Sequence, residues 1–282
     1  MASMDLPEEA FEIVVIKTTG DRILDRPLKE IGGKGLFTRE IEEALLDGGI
    51  DIAVHSMKDM PTLQPEGLRL DTYLPREDVR DAFITLGGGP LADLPEGSVV
   101  GTSSLRRRAQ LAHRRPDLHL VEFRGNLQTR MKKLGDGVAH ATFLAMAGLN
   151  RLAMDDVPRS AIDTGDMLPA VAQGAIGIER RETDVQMADI LAAIHDHDTG
   201  LRLAAERSYL LTLDGSCETP IAGLADLNGG TLTLRGEILR PDGSDVLVES
   251  ASAPAEDGPA LGRDLAQTLL DRAPAGFFDW RG

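Results

Sequence analysis

The chain has 282 residues, 42% of them apolar but only 4% aromatic, so it has the length for two or three domains with cores of Leu, Ile, Val and Ala. Its net charge of -16 argues against general nucleic-acid binding, and no apolar run reaches the roughly 18 residues that span a bilayer. A single cysteine, Cys217, excludes an internal disulfide, and the acidic first nine residues have no signal-peptide core, so a soluble cytoplasmic protein is expected.

In chain order, residues 11–16 (Phe-Glu-Ile-Val-Val-Ile) read as a buried strand. Ile31-Gly-Gly-Lys-Gly-Leu36 is a glycine-rich loop whose backbone can approach a ligand, with Lys34 at its centre. Residues 38–46 carry apolar side chains at helical spacing and stop at Asp47-Gly48-Gly49. Residues 50–54 form an apolar strand that runs into a polar cluster of His55, Ser56, Lys58 and Asp59, closed by Pro61. At the carboxyl end of a strand in an α/β sheet such groups stand where ligands bind, and Asp59 is a candidate acid/base or charge-stabilising carboxylate. The plainer alternative is a strand end with solvated charges.

Residues 68–73 and 82–86 are further strand candidates, with a domain crossing a little before the flexible Gly87-Gly-Gly-Pro90. Between Gly101 and Lys133 nine Arg or Lys face two acids, while the rest of the chain holds 21 bases against 44 acids. A basic island in an acidic protein suggests a bounded site for a small polyanion; a solvated basic helix is the alternative. A short strand at 98–101 leads into Thr102-Ser-Ser-Leu-Arg-Arg-Arg108, where Thr102, Ser103 or Ser104 can cap a helix starting near Leu105. Free N–H groups, hydroxyls and arginines there make a ready anion site. A strand at 118–123 ends in Arg124-Gly-Asn126, and a helix at 127–134 carries Arg130. After the apolar run 138–147 comes Arg151, so arginines recur just past successive strands and would converge on one edge of a parallel sheet.

Residues 169–178 read as a return strand or crossover bearing Gln173, and 187–194 as a helix. His195-Asp-His-Asp198 is read as a charged helix end, with no metal site, because nothing nearby completes a ligand shell. A helix at 201–213 precedes the loop Asp214-Gly-Ser-Cys-Glu-Thr-Pro220, whose polar neighbours suggest an accessible, reactive Cys217. Residues 231–239 and 245–250 alternate like strands around the turn Pro241-Asp-Gly243, and 260–270 is a final amphipathic helix.

Ile31-Gly-Gly-Lys-Gly-Leu-Phe37, Asp51-Ile-Ala-Val-His-Ser-Met-Lys-Asp-Met-Pro61, Arg80-Asp-Ala-Phe83 and Gly101-Thr-Ser-Ser-Leu-Arg-Arg107 occur in one collinear order. Leu118 to Arg130 with Arg124-Gly-Asn126, Leu168-Pro-Ala-Val-Ala-Gln-Gly-Ala175 and Gly215-Ser-Cys-Glu-Thr-Pro-Ile221 continue it. The set resembles the hydroxymethylbilane synthases, also called porphobilinogen deaminases. The resemblance implies an α/β fold of two periplasmic-binding-protein-like lobes plus a small C-terminal α+β domain. Domain 1 would take residues 1–79 and 172–195, domain 2 residues 80–171, and domain 3 residues 196–282.

The resemblance also implies a transferase that deaminates four porphobilinogen molecules and joins them head to tail on a dipyrromethane cofactor held by Cys217. Asp59 would be the catalytic carboxylate. Ser56, Lys58, Thr102, Ser103, Ser104, Arg106, Arg107 and Gln173 would hold the cofactor, and Lys34, Arg124, Arg130 and Arg151 the substrate. The product, hydroxymethylbilane, would pass to uroporphyrinogen-III synthase, and the protein would be a monomer with neither a nucleic-acid nor a membrane partner. The chemistry is consistent: each porphobilinogen unit carries two carboxylates, and arginine suits forked carboxylate binding.

By the resemblance, the family's N-terminal strand and helix, with their Gly-Thr-Arg-type and Ser-Pro-Leu-Ala segments, would be missing from the sequence given. Glu30 stands where many relatives have Lys, and Ala172 and Ser216 where many have Gly. A truncated, inactive form and a non-catalytic two-lobed anion-binding protein remain as alternative readings.

Overall fold

The computed structural model describes residues 7–19, 38–215 and 219–281. The chain divides into two compact units, Met1–Arg76 with Ala175–Leu201, and Glu77–Gly174 with Arg202–Gly282. The expectations for Lys34, its glycine-rich loop and Cys217 lie outside the described residues.

In the first unit, helix α1 (Arg39–Leu46) packs Ile41 and Leu45 against Ala53 and Leu68. Strand β1 (Ile52–Ser56) continues into a single 3-10 turn, Met57–Asp59. Strand β2 (Leu68–Tyr73) lies across from it, with β8 (Ile176–Arg181) between them in the order β1-β8-β2. Both pairings are antiparallel, with Ala53 opposite Glu179 and a bulge between Leu70 and Thr72. The polar cluster follows the carboxyl end of β1, a strand whose neighbour is antiparallel because β8 returns from far along the chain to fill the centre of the sheet.

Residues 11–16 correct the sequence reading. They form no strand, and Ile13 and Val15 are 89% and 81% exposed. An apolar run becomes a strand only when a neighbour takes its N–H and C=O groups, and no described strand does so here. The His195–Asp198 segment is also more structured than a helix end. Helix α5 (Val185–Ala192) stops before it, and His197 begins α6 (His197–Thr212). Nδ1 of His195 accepts from the Tyr73 N–H at 3.2 Å, and Oδ1 of Asp196 accepts from the Thr199 N–H at 2.8 Å.

The second unit is built on a five-stranded sheet of order β5-β4-β6-β3-β7, from β3 (Asp81–Thr85), β4 (Val99–Gly101), β5 (His119–Val121), β6 (Ala141–Ala145) and β7 (Arg159–Ala161). β4 runs parallel to β5 and β6, whereas β3 pairs antiparallel with β6 and β7. Alternate residues of β3 feed opposite cores. Ala82 and Ile84 meet Leu134 of α3 (Leu127–Gly135) and Leu149 of α4 (Met146–Arg151), while Phe83 meets Leu111 of α2 (Leu105–Arg114). The sheet is thus covered on both faces.

The rest of this unit is a three-stranded antiparallel sheet, β11-β10-β9, from β9 (Ile221–Asn228), β10 (Thr231–Leu239) and β11 (Val246–Pro254). Helix α7 (Gly258–Arg272) buries Leu261, Leu265 and Leu269, one per turn. β9 was not expected from the sequence; its Ile-Ala-Gly-Leu-Ala start is buried on both faces and shows no alternation. Among the described residues no helix is long and apolar enough to cross a membrane, and no group of three His, Cys, Asp or Glu is placed to hold a metal.

Candidate active site

In the first unit, Asp59 ends the 3-10 turn after β1 and is exposed. Its turn is short because Met57, 1% exposed, is pulled inward and its N–H donates to the Ala175 carbonyl at 3.0 Å. A cavity of about 320 Å³ opens here, lined by Ile16, Thr18, Thr38, Ile41, Val54, His55, Ser56, Asp59 and Met60. That volume lies in the range of ~300–1,000 Å³ typical of small-ligand sites. Ser56 and Asp59 are therefore brought together, and Lys58 sits between them in sequence, partly buried. Beneath them Nε2 of His55 meets Oε2 of Glu179 at 3.0 Å.

In the second unit, the parallel strands β4, β5 and β6 end on one edge, as the recurrence of arginines required. Thr102, Ser103 and Ser104 follow β4. Their hydroxyl oxygens accept from the N–H groups of Ser104 (3.2 Å), Phe123 (3.2 Å) and Arg107 (3.4 Å) respectively, and the last of these caps α2. Gly125 turns the chain after β5 at φ +122°, a conformation open to glycine, and any Cβ there would meet Thr129 at 2.6 Å. Arg124 lies just before that turn, and Asn126 caps α3 by accepting from the Thr129 N–H at 2.9 Å.

Arg106 and Arg107 are 4% and 6% exposed and share one carboxylate, that of the fully buried Asp81. Nη1 of Arg106 donates to Asp81 Oδ2, and Nη2 of Arg107 to Asp81 Oδ1, each at 2.7 Å. Gln173 is a third residue that donates to it, from Nε2 to Asp81 Oδ1 at 3.0 Å. Burial alone would raise the Asp81 carboxyl; the two guanidiniums outweigh it and hold the group well below the usual carboxylate range.

Arg130 has no such partner. Its Nε donates to the Gly125 carbonyl at 2.9 Å and its Nη1 to the Phe143 carbonyl at 3.1 Å. Arg107 Nη1 reaches the same Phe143 carbonyl at 3.3 Å. Burial, and then the neighbouring Arg107, push Arg130 down to about 10, with Glu122 opposing them. Arg106 also keeps a buried Nε with no partner. The cluster thus holds more guanidinium than carboxylate. A bound carboxylate would relieve both defects, so these residues fit a ligand that carries several acid groups.

Arg151, at the end of α4, donates from Nη2 to the Gly174 carbonyl at 2.8 Å. Gly174 itself has φ +85°, and a Cβ there would lie 2.5 Å from the Glu77 carbonyl. Arg151 is thus tied to the turn beside Gln173 and is not joined by any described bond to Arg106, Arg107 and Arg130.

Three carboxylates central to this geometry were not singled out from the sequence. Asp81 lay inside the Arg80–Phe83 motif without a role, although an acid opening an apolar strand is a signal of a paired buried charge. Glu237 on β10, 1% exposed, accepts from Gln110 Nε2 at 2.6 Å and Arg114 Nη2 at 2.7 Å. Gln110 Oε1 in turn accepts from Arg106 Nη1 at 3.1 Å, which ties the C-terminal sheet to the arginine cluster. Glu206, fully buried, accepts from the N–H groups of Ala172 (2.6 Å) and Ala225 (2.8 Å).

Residues 1–189 match the family model for the porphobilinogen deaminase dipyrromethane cofactor binding domain, and residues 201–271 that for the porphobilinogen deaminase C-terminal domain. A porphobilinogen deaminase of Paracoccus denitrificans is 69% identical over 99% of this chain and 90% of its own length. The chloroplastic porphobilinogen deaminase of Pisum sativum is 55% identical over 98% of this chain and 76% of its own, and that of Oryza sativa 53% over 99% and 79%.

Proposed function

The chain belongs to the porphobilinogen deaminase family, and from that membership we infer how its own residues divide the work. It is a transferase of tetrapyrrole biosynthesis that deaminates porphobilinogen and joins four units head to tail, releasing hydroxymethylbilane. Dipyrromethane is its cofactor, and when bound supplies the free pyrrole carbon from which the product grows.

The observation that carries the division of roles is the surplus of buried guanidinium over carboxylate around the Phe143 carbonyl. Arg107 and Arg130 hold acetate and propionate groups there, Arg106 presents its unpartnered Nε, and Asp81 keeps both paired arginines in place. Thr102, Ser103 and Ser104 have given their oxygens to backbone N–H groups, so each offers its O–H as a further donor. Lys34, Arg124 and Arg151 add positive charge for substrate, Lys58, Ser56 and Gln173 add polar contacts for cofactor, and Cys217, the only thiol in the sequence, attaches it.

Asp59 is the carboxylate that faces developing charge. Loss of ammonia from porphobilinogen leaves a cationic, azafulvene-like carbon, and one anion among many cations stabilises it where that charge forms. The third domain, residues 196–282, presents the Cys217 loop. We further propose that the protein works as a monomer in the cytoplasm and hands its product to uroporphyrinogen-III synthase.

The intact mass of the purified protein tests the attachment. An increment of one dipyrromethane is expected, mapped to the peptide containing Cys217, and Cys217→Ser is expected to carry none. A Cys217→Ser protein that still carries dipyrromethane would remove that assignment. Asp59→Asn is expected to keep the cofactor and lose turnover by about 10²-fold or more. Near-native product formation by that variant would clear Asp59 of its role.

A further inference from the structure

The cavity that Asp59 lines contains a second ionisable group. His55 is 7% exposed and borders the same cavity, while Glu179 behind it is fully excluded from water. The two come from adjacent strands: His55 near the end of β1, Glu179 on β8, which faces β1 with Ala53 opposite Glu179. Nε2 of His55 lies 3.0 Å from Oε2 of Glu179, and Oε1 of Glu179 is buried without a partner. With Glu179 as the acceptor, the shared proton sits on Nε2 and leaves Nδ1 with its lone pair. A buried acid that fixes a histidine tautomer in this way is the arrangement that makes an imidazole a general base. Burial holds the carboxyl of the half-buried Glu42, on the neighbouring α1, above its ordinary value; Glu179 adds to the push, and Thr38 and His55 oppose it.

The reaction needs such a base. When the deaminated methylene carbon bonds to the free α-carbon of the next pyrrole, that carbon still carries its hydrogen. The C–H bond must break, its electron pair restoring the aromatic ring and its proton leaving. We propose that His55 is the base that accepts the α-proton on Nδ1, held in its working tautomer by Glu179, and that it then returns the proton to water. The proposal rests on the assignment of the Asp59 cavity to the reaction.

The test compares native holoenzyme with His55→Gln, whose amide can still donate to Glu179 but has no basic nitrogen. Porphobilinogen is supplied with hydrogen or deuterium at its free α-carbon. The variant is expected to carry its cofactor by intact mass, to turn over about 10²-fold more slowly, and to show a primary isotope effect absent from the native enzyme. Native-like turnover, or slow turnover without an isotope effect, overturns the proposal. Should His55→Gln not fold, Glu179→Gln decides: a loss of about tenfold with the same isotope effect is expected, and an unchanged rate refutes it. Independently of activity, ¹⁵N-histidine spectra of the native holoenzyme, assigned by the signal lost in His55→Gln, should show Nε2 protonated and Nδ1 bare. A proton on Nδ1 overturns the idea. Asp59→Asn separates the two assignments, because it is expected to stall before C–C bond formation and to show no isotope effect; normal turnover there would remove Asp59 while leaving the His55 comparison readable.

Discussion

Asp81 accepts from both Arg106 and Arg107 with no access to water. The Asp81→Asn variant would leave two buried cations facing a neutral amide. Breaking a buried pair from one side costs about 3–5 kcal/mol, so this change is expected to be among the most damaging in the second unit. Its pH dependence is specific. The folded pKa lies below the ordinary carboxylate value of 3.8, so the stabilisation is fully present above that value and is lost as pH falls through the folded pKa. Urea unfolding midpoints of native and variant protein should therefore differ widely at pH 6 and approach one another in stronger acid. A gap that stays constant down to pH ~2 would mean that Asp81 acts through shape, not charge.

At the scale of elements, the turn between β7 and β8 is held by a compromise. Ala172 sits at φ +62° with 1% exposure, and its N–H is taken by buried Glu206. The left-handed conformation costs an L-residue roughly 1–2 kcal/mol, offset here by the hydrogen bond to a carboxylate. Ala172→Gly keeps that bond and removes the steric cost, opposed by the greater backbone entropy that glycine gives the unfolded chain. A net gain of about 0.5–1 kcal/mol is expected, seen as a raised unfolding midpoint with unchanged cofactor content. A lowered midpoint would show that the turn is not strained. The sequence had marked Ala172 as a departure from glycine but could not reveal the sign of φ. Most elements were legible because helical spacing, caps and Gly/Pro stops are local signals. Asn126 and Ser104 both cap helices that begin where their side chains allow. The failures are non-local. Residues 11–16 look like a strand, yet strand formation depends on a partner, and the pairing direction of β1 is set by β8, over a hundred residues away. For the same reason the arginines were visible as a cluster, whereas Asp81 and Glu237, which set what those arginines can do, were not.

At the scale of the molecule, the basic cluster is a local exception in a chain of net charge -16. Porphobilinogen bears two carboxylates and one ammonium, so the distant field repels it, while the arginines assigned to substrate would attract it at contact distance. These act over different ranges. The Debye length falls from ~30 Å at 0.01 M salt to ~8 Å at 0.15 M, which removes most of the long-range repulsion. Contacts to partly buried arginines such as Arg130 are screened far less. Raising salt over this interval is therefore expected to leave kcat/KM level or to raise it, by up to about threefold, in contrast to the fall seen when a basic surface steers an anionic ligand. Steady-state kinetics at constant pH across the interval measure this directly. A steep fall would mean that the arginine cluster projects its field past the acidic surface, and capture of substrate would then begin well outside the site. A level or rising profile would confine recognition to contact distance, where side-chain contacts, and not net charge, select the substrate.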